Sequence, residues 1–132
     1  QNRIYFAGPL PKDEHLSRIK LADIALDTFT YNGHTTTSDC LWAGVPVITL
    51  KGNHFASRVS ASLLTAIGLP ELITNSQKEY EELAISLANS PKRLTAIRNS
   101  LFLNLKSKPL FDTIQFTKDL EKIYAKIHTR IK

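Results

Sequence analysis

Two short segments of this sequence carry residue types that bind phosphorylated ligands. In residues 32–39, Gly33 allows close approach to the backbone, and three threonines follow at the start of an expected helix. The amides at a helix N-terminus favour an anion such as a diphosphate, and threonine hydroxyls add further donors. His34 can stack on a base or donate to a phosphate, and Asp39 can accept from a ribose hydroxyl. Nucleotide binding is one function that this segment supports.

The same segment has a plainer interpretation. Thr36 and Asp39 have the spacing of a capping box, which would do no more than start a helix. The segment matches neither the glycine-rich dinucleotide pattern nor a P-loop. From the residues alone, both interpretations stay open.

The other segment lies near the beginning of the sequence. Lys12, His15 and Arg18 follow one another at intervals of three residues, which places them on one ridge of a helix. Such a ridge can contact a base, a ribose or a phosphate. The alternative is an ordinary solvated helix face.

Strands and helices alternate along the sequence in a way that predicts how these segments are positioned. We expect strands at residues 3–7, 24–29, 47–50 and 71–74. We expect helices at residues 12–21, 36–43 and from about residue 55 to Gly68, and further helices beginning near residues 76, 91 and 113. This order predicts an α/β fold, a Rossmann-like parallel sheet with helices on both faces, as a single domain over residues 1–132. Ligands of such sheets bind at the carboxyl ends of the strands, where both polar segments fall.

Composition narrows the class of protein. No apolar run approaches the roughly 20 residues that a membrane-spanning helix needs, so we expect a soluble protein with no membrane partner. The single cysteine, Cys40, cannot form an internal disulfide, which is typical of a cytoplasmic protein. The sequence contains no Met and enters an apolar run at Ile4, so we expect it to be part of a longer protein.

The net charge of +5 raises the possibility of nucleic-acid binding. The basic residues are spread over several segments, however, and the densest row, within residues 118–132, is interleaved with apolar positions like the solvated face of a helix. We therefore expect no nucleic-acid partner. Cys40 and the four histidines lack metal-ligand spacing, so no metal site is predicted. Arg58 can approach a phosphate or sugar, although a surface or interlobe ion pair is the simpler role.

A series of short motifs runs along nearly the whole chain. In chain order they are PKDEH at residues 11–15 with Arg18, LAD at 21–23, LDT at 26–28, NGHTT at 32–36 with Asp39, LWAGVP at 41–46, ASRV at 56–59, ELI at 71–73 and PLF at 109–111. Taken together, these motifs resemble the C-terminal catalytic lobe of the protein O-GlcNAc transferases. Their order and spacing favour the functional interpretation of both polar segments.

The resemblance implies a glycosyltransferase-B architecture, in which this chain is the C-terminal, nucleotide-sugar-binding lobe and the donor is UDP-GlcNAc. It implies that Lys12 and His34 flank the uridine, that Asp39 binds the ribose, and that Thr35 and Thr36 hold the diphosphate. His15 and Arg18 would lie beside the uracil and ribose, and the backbone near Leu10 would contact the uracil edge. It also implies that transfer to serine or threonine of protein acceptors needs no metal or other cofactor.

In this family an N-terminal catalytic lobe and tetratricopeptide repeats complete the enzyme, so we expect the isolated lobe to be inactive. Spindly-type protein O-fucosyltransferases share the threonine run, which keeps GDP-fucose open as the donor, and related bacterial enzymes use UDP-glucose. Lys12, His15 and His34 favour UDP. A degenerate lobe kept for protein interaction is a further alternative, against which the intact ligand residues argue.

Overall fold

The computed structural model describes residues 3–131, which form six α-helices and a three-stranded sheet. The helices are α1 (Lys12–Ile19), α2 (Thr35–Trp42), α3 (Val59–Ile67), α4 (Gln77–Ala88), α5 (Pro91–Ser107) and α6 (Thr113–Ile131). The strands are β1 (Ala25–Leu26), β2 (Val47–Leu50) and β3 (Ile73–Thr74). Short 3-10 turns at Phe55–Ser57, Pro70–Leu72 and Pro109–Phe111 precede α3, β3 and α6.

The sheet is parallel, with β2 at its centre. Ala25 of β1 lies opposite Val47, and Ile73 of β3 lies opposite Thr49. Val47, Ile48 and Thr49 are all buried, so both faces of β2 are covered. Helices α2, α3 and α4 all pack against this strand. The prediction of a parallel α/β sheet is confirmed, and strand β2 has the predicted bounds.

The core lies between the sheet and the helices that cover it. Its fully buried leucines come from α2, α3, α4 and α5 and from the turn before β3. They are Leu41, Leu64, Leu69, Leu72, Leu87 and Leu101. Two predicted helix ends are confirmed. Gly68 ends α3 in the left-handed conformation (φ 76°), and the Ser76 hydroxyl accepts from the amide of Glu79 at the start of α4.

The predicted strand at residues 3–7 is wrong. In the described residues this segment is irregular, and Ile4, Tyr5 and Phe6 are between 73% and 98% exposed. β-forming side chains give a strand only where a neighbouring strand pairs with their backbone groups, and the partner of β1 is β2. Residues 24–29 and 71–74 likewise form only the two-residue strands β1 and β3.

Helix α6 carries the basic row on exposed positions, as predicted, although Lys132 lies outside the described residues. Its apolar side chains Phe116, Ile123 and Ile127 are also exposed, by 49% to 66%. Within residues 3–131, no helix combines the length and the apolar character that a membrane crossing requires.

Candidate functional site

The two polar segments meet through an ion pair between α1 and α2. The ammonium of Lys12, the first residue of α1, lies 2.5 Å from both carboxylate oxygens of Asp39 in the second turn of α2. The Asp39 side chain is only 16% exposed, whereas that of Lys12 is 59% exposed. The structure thus brings together two residues that the sequence places in separate loops.

Arg18 and His15 form a second polar group on α1. Arg18 donates to the carbonyl of Gly8 at 2.8 Å and to Nδ1 of His15 at 3.2 Å. Because an arginine can only donate, His15 Nδ1 must accept, which places the ring proton on Nε2. Arg18 therefore anchors the segment that carries Leu10, and the Nε2 proton of His15 remains a donor. Among the described residues, no hydrogen bond joins Arg18 or His15 to the loop before α2.

The N-terminus of α2 has no side-chain cap. His34 is the N-cap residue but accepts no amide, and the first turn contains no acidic residue. The side chains of Thr35 and Thr36 are exposed, and across the described chain no acceptor faces the amides of these two residues. Asp39 pairs with Lys12, so the capping-box interpretation of Thr36 and Asp39 is wrong. This helix end is open to an anion, unlike the Ser76-capped start of α4.

Aromatic rings surround His34. The Tyr31 ring stacks on its imidazole with 5.0 Å between centroids, and Phe55 meets it edge-on at 6.0 Å. The His34 Nε2 atom is buried and has no hydrogen-bond partner. A buried polar atom of this kind requires a partner, which a ligand or an ordered water can supply. Tyr31 and Phe55 were not predicted as site residues. Tyr31 directly precedes the polar segment 32–39, which is a usable signal, whereas Phe55 lies beyond α2 and β2 in the sequence.

Burial raises the pKa of two groups close to the loop before α2. Burial raises the pKa of the Cys40 thiol, and the negative charges of Asp39 and Asp27 raise it further. Cys40 therefore stays a neutral thiol near pH 7 and is no candidate nucleophile. Burial, together with Asp27, raises the pKa of Tyr80 to about 12. Sequence reasoning assigned no role to Asp27, which is 8% exposed and directly follows β1.

A cavity adjoins this cluster but does not contain it. It has a volume of about 1090 Å³ and lies between α3 and β3, and none of the eight predicted ligand residues lines it. Phe55, whose ring lies at a steep angle to that of His34, lines this cavity together with Lys51 and Arg58. Arg58 takes part in none of the ion pairs found in residues 3–131. The convergent polar groups, rather than cavity size, identify the candidate site.

Comparison with known proteins decides the family. The sequence profile of "Glycosyl transferase family 41" matches residues 1–120. The chain belongs to glycosyl transferase family 41. The chain is similar to the "Probable UDP-N-acetylglucosamine--peptide N-acetylglucosaminyltransferase SEC" of Arabidopsis thaliana, with 46% identity over 96% of this chain. The Caenorhabditis elegans "UDP-N-acetylglucosamine--peptide N-acetylglucosaminyltransferase" is 38% identical over 98% of this chain.

A solved structure of a Thermobaculum terrenum O-GlcNAc transferase mutant superposes with a TM-score of 0.83 at 40% identity, over 88% of this chain. The match confirms the predicted fold, the C-terminal lobe of a glycosyltransferase-B enzyme. The chain spans 13% and 11% of the two family-41 relatives and 22% of the chain in that structure.

Proposed function

We propose that this chain is the donor-binding lobe of a protein O-GlcNAc transferase, which transfers GlcNAc from UDP-GlcNAc to serine or threonine of proteins. Relatives from a plant and a nematode carry names that state a UDP-N-acetylglucosamine peptide transferase. The family supports glycosyl transfer, and the relatives' names support this donor and a peptide acceptor.

The open N-terminus of α2 is the observation that carries the proposal. Its amides point out of the helix beside the exposed hydroxyls of Thr35 and Thr36, with no protein acceptor in the described residues. A helix N-terminus carries about half a positive charge, so a diphosphate is the ligand best matched to it. Membership of a glycosyltransferase family supports the diphosphate of a nucleotide sugar as that anion.

The remaining residues are assigned around that diphosphate. Asp39 accepts from the ribose hydroxyls with the lone pairs that Lys12 leaves free, and Lys12 and His34 flank the uridine. The orphaned Nε2 of His34 gains a partner when a ligand binds. His15 offers its Nε2 proton next to the uracil and ribose, while Arg18 holds the backbone that leads to Leu10 for contact with the uracil edge.

This arrangement promotes transfer by stabilising the leaving group. Negative charge builds on UDP as the glycosidic bond breaks, and amides, hydroxyls and the helix dipole of α2 oppose it. The role needs neither a metal nor an acid–base residue in this lobe. The acceptor site belongs to the N-terminal catalytic lobe and the tetratricopeptide repeats of the whole protein, so the chain by itself binds donor weakly and transfers no sugar. A cytoplasmic location remains a prediction from the single cysteine.

An NMR titration of the chain with UDP tests the proposal, with GDP and ATP as controls. The amides of residues 10–18 and 33–39 are followed in two-dimensional spectra. We expect shifts in both segments with UDP and weaker or no shifts with GDP and ATP at equal concentration.

The outcomes separate the alternatives. Preference for GDP would indicate a guanosine nucleotide sugar as the donor and would contradict the UDP-GlcNAc assignment. Equal shifts with all three nucleotides would reduce the site to a general phosphate site. Shifts confined to residues outside both segments, or none at millimolar nucleotide, would contradict the lobe as an independent donor site.

A further inference from the structure

The backbone of Gly33, just before the N-cap of α2, is held through both its N–H and its carbonyl by buried side chains. Its N–H donates to Oδ1 of Asp27 at 2.7 Å. Its carbonyl accepts from the Ser60 hydroxyl at 2.9 Å, and that hydroxyl lies 2.8 Å from the hydroxyl of Thr37. Asp27, Thr37 and Ser60 are each at most 8% exposed. The loop that enters α2 is therefore fixed from the interior of the lobe.

Asp27 is the centre of this arrangement. Its carboxylate accepts from the amides of Thr28 and Gly33 through Oδ1 and from the hydroxyl of Thr49 through Oδ2 at 2.6 Å. Its backbone carbonyl accepts from the Tyr80 hydroxyl at 2.9 Å. The ion pairs within residues 3–131 do not include Asp27, so neutral donors alone satisfy a buried carboxylate.

A buried charge is costly, and the carboxylate of Asp27 lies next to the loop that is proposed to bind an anion. An apolar residue would avoid this desolvation cost, but it would leave the amides of Thr28 and Gly33 without their acceptor. The carboxylate does provide two acceptor oxygens at once. One fixes the amide of Gly33, and the other fixes Thr49 in the central strand, so the loop before α2 is tied to the rigid sheet.

We propose that Asp27 is a positioning residue for the donor diphosphate. It does not touch the nucleotide; it fixes Gly33, so that the amides of Thr35 and Thr36 already point at the phosphate position before the donor binds. Preorganised donors stabilise an anion without reorganisation at the moment of reaction, which is what a leaving diphosphate needs. This inference rests on the proposed function, since it assigns a residue to that same site.

The test compares Asp27→Ala with Asp27→Asn. Asparagine can keep its oxygen towards Gly33 and place its NH2 group against Thr49, whose hydroxyl rotates to accept. Alanine removes both contacts. We expect Asp27→Asn to bind UDP within about threefold of the original chain and Asp27→Ala to bind at least about tenfold more weakly, because only a small fraction of the Asp27→Ala molecules would then hold the loop in its binding conformation. Ser60→Ala removes the other contact of Gly33 and should weaken binding in the same direction, with less risk to folding.

Two further measurements separate positioning from general stability. Ile97→Ala removes a buried side chain of α5 that makes no hydrogen bond to the loop, so it should lower stability and leave the UDP affinity of the folded protein unchanged. In the absence of nucleotide, Asp27→Ala should broaden the amide signals of residues 33–37 and remove the exchange protection of Gly33, while the amides of α4 keep their shifts.

Equal UDP affinity of Asp27→Ala and the original chain would overturn the positioning role, and so would unchanged Gly33 protection in Asp27→Ala. If the original chain fails to bind UDP, the proposed function fails, whereas the amide measurement still decides whether Asp27 orders the loop. If Asp27→Ala does not fold, Ser60→Ala decides: unchanged affinity and unchanged loop signals in that variant contradict the proposal.

Discussion

The ammonium of Lys12 contacts both carboxylate oxygens of Asp39 at 2.5 Å, although the residues are 27 positions apart. The pair joins the first turn of α1 to the second turn of α2. Because Lys12 is largely exposed, water and salt screen the attraction, and such pairs contribute about 0.2–1 kcal/mol to folding. The importance of the pair therefore lies in bringing two nucleotide-binding segments to one place.

Asp39→Ala should affect ligand binding more than folding. We expect its free energy of unfolding to fall by no more than about 1 kcal/mol, as for an exposed ion pair. UDP affinity should fall about tenfold or more, because a hydrogen bond to a charged acceptor contributes about 1.5–3 kcal/mol. Urea denaturation and a UDP titration measure the two quantities.

Asp119→Ala is the matched control, because it removes the Lys122 ion pair on α6, far along the chain from the site. Its UDP affinity should equal that of the original chain. If Asp39→Ala behaves in the same way as Asp119→Ala in the titration, Asp39 does not bind the ribose.

Thr36→Ala should weaken UDP binding with no effect on stability. The Thr36 side chain is exposed and makes no hydrogen bond within the described residues, so the free energy of unfolding should stay within about 0.5 kcal/mol. Loss of a hydroxyl that donates to a phosphate should weaken binding about 10- to 100-fold. Unchanged UDP affinity in Thr36→Ala would remove this threonine from the site.

Ser76→Ala should show the opposite pattern. Ser76 caps α4 by accepting from the amide of Glu79 at 3.1 Å, and loss of such a cap costs about 1 kcal/mol. Thermal unfolding should shift to lower temperature while the UDP titration stays the same. A Ser76→Ala protein with unchanged stability would mean that this cap contributes nothing to α4.

Local sequence signals predicted the elements that depend on local chemistry. Strand β2, the cap at Ser76 and the left-handed Gly68 agree with their predictions, because each depends on a few adjacent residues. The strand predicted at residues 3–7 does not form, because a strand requires a partner strand elsewhere in the fold.

The ligand residues were predicted from the motif resemblance, but the contacts that these residues make with one another were not. The ion pair of Lys12 with Asp39 and the hydrogen bond from Tyr80 to Asp27, across 53 positions, depend on how the helices pack on the sheet. Residue spacing contains no information on that packing, which explains why the sequence assigns no role to Asp27 although it lies within the LDT motif.

Gly33→Ala should disturb the start of α2 by a steric clash. A Cβ at Gly33 would lie 2.5 Å from the hydroxyl of Thr37 and 3.2 Å from its amide nitrogen. Overpacking of this kind costs about 1–3 kcal/mol, and the displaced amides should weaken UDP binding as well. Gly8→Ala is the control, since a Cβ there meets nothing within 4 Å. If the two variants have equal stability and equal UDP affinity, the loop accommodates a Cβ at Gly33 with no effect on folding or binding.

Tyr80 should make stability depend on pH at the alkaline end. Its hydroxyl donates to the carbonyl of Asp27, and burial and that aspartate's charge raise its pKa to about 12, against about 10 in the unfolded chain. Between these values the unfolded state has lost the proton while the folded state keeps it, so stability falls as pH rises. The contribution is fully present below about pH 10 and declines as pH approaches about 12.

Tyr80→Phe isolates this effect, because groups common to both proteins cancel in the difference of their unfolding free energies. At pH 8 the original chain should be more stable by about 1 kcal/mol, the contribution of one hydrogen bond. From about pH 10 upwards that advantage should shrink and then reverse, since phenylalanine has no proton to lose. Urea denaturation in half-unit steps from pH 8 to pH 11.5 measures it. A difference that stays constant across this range would mean that the pKa of Tyr80 is the same in the folded and unfolded states.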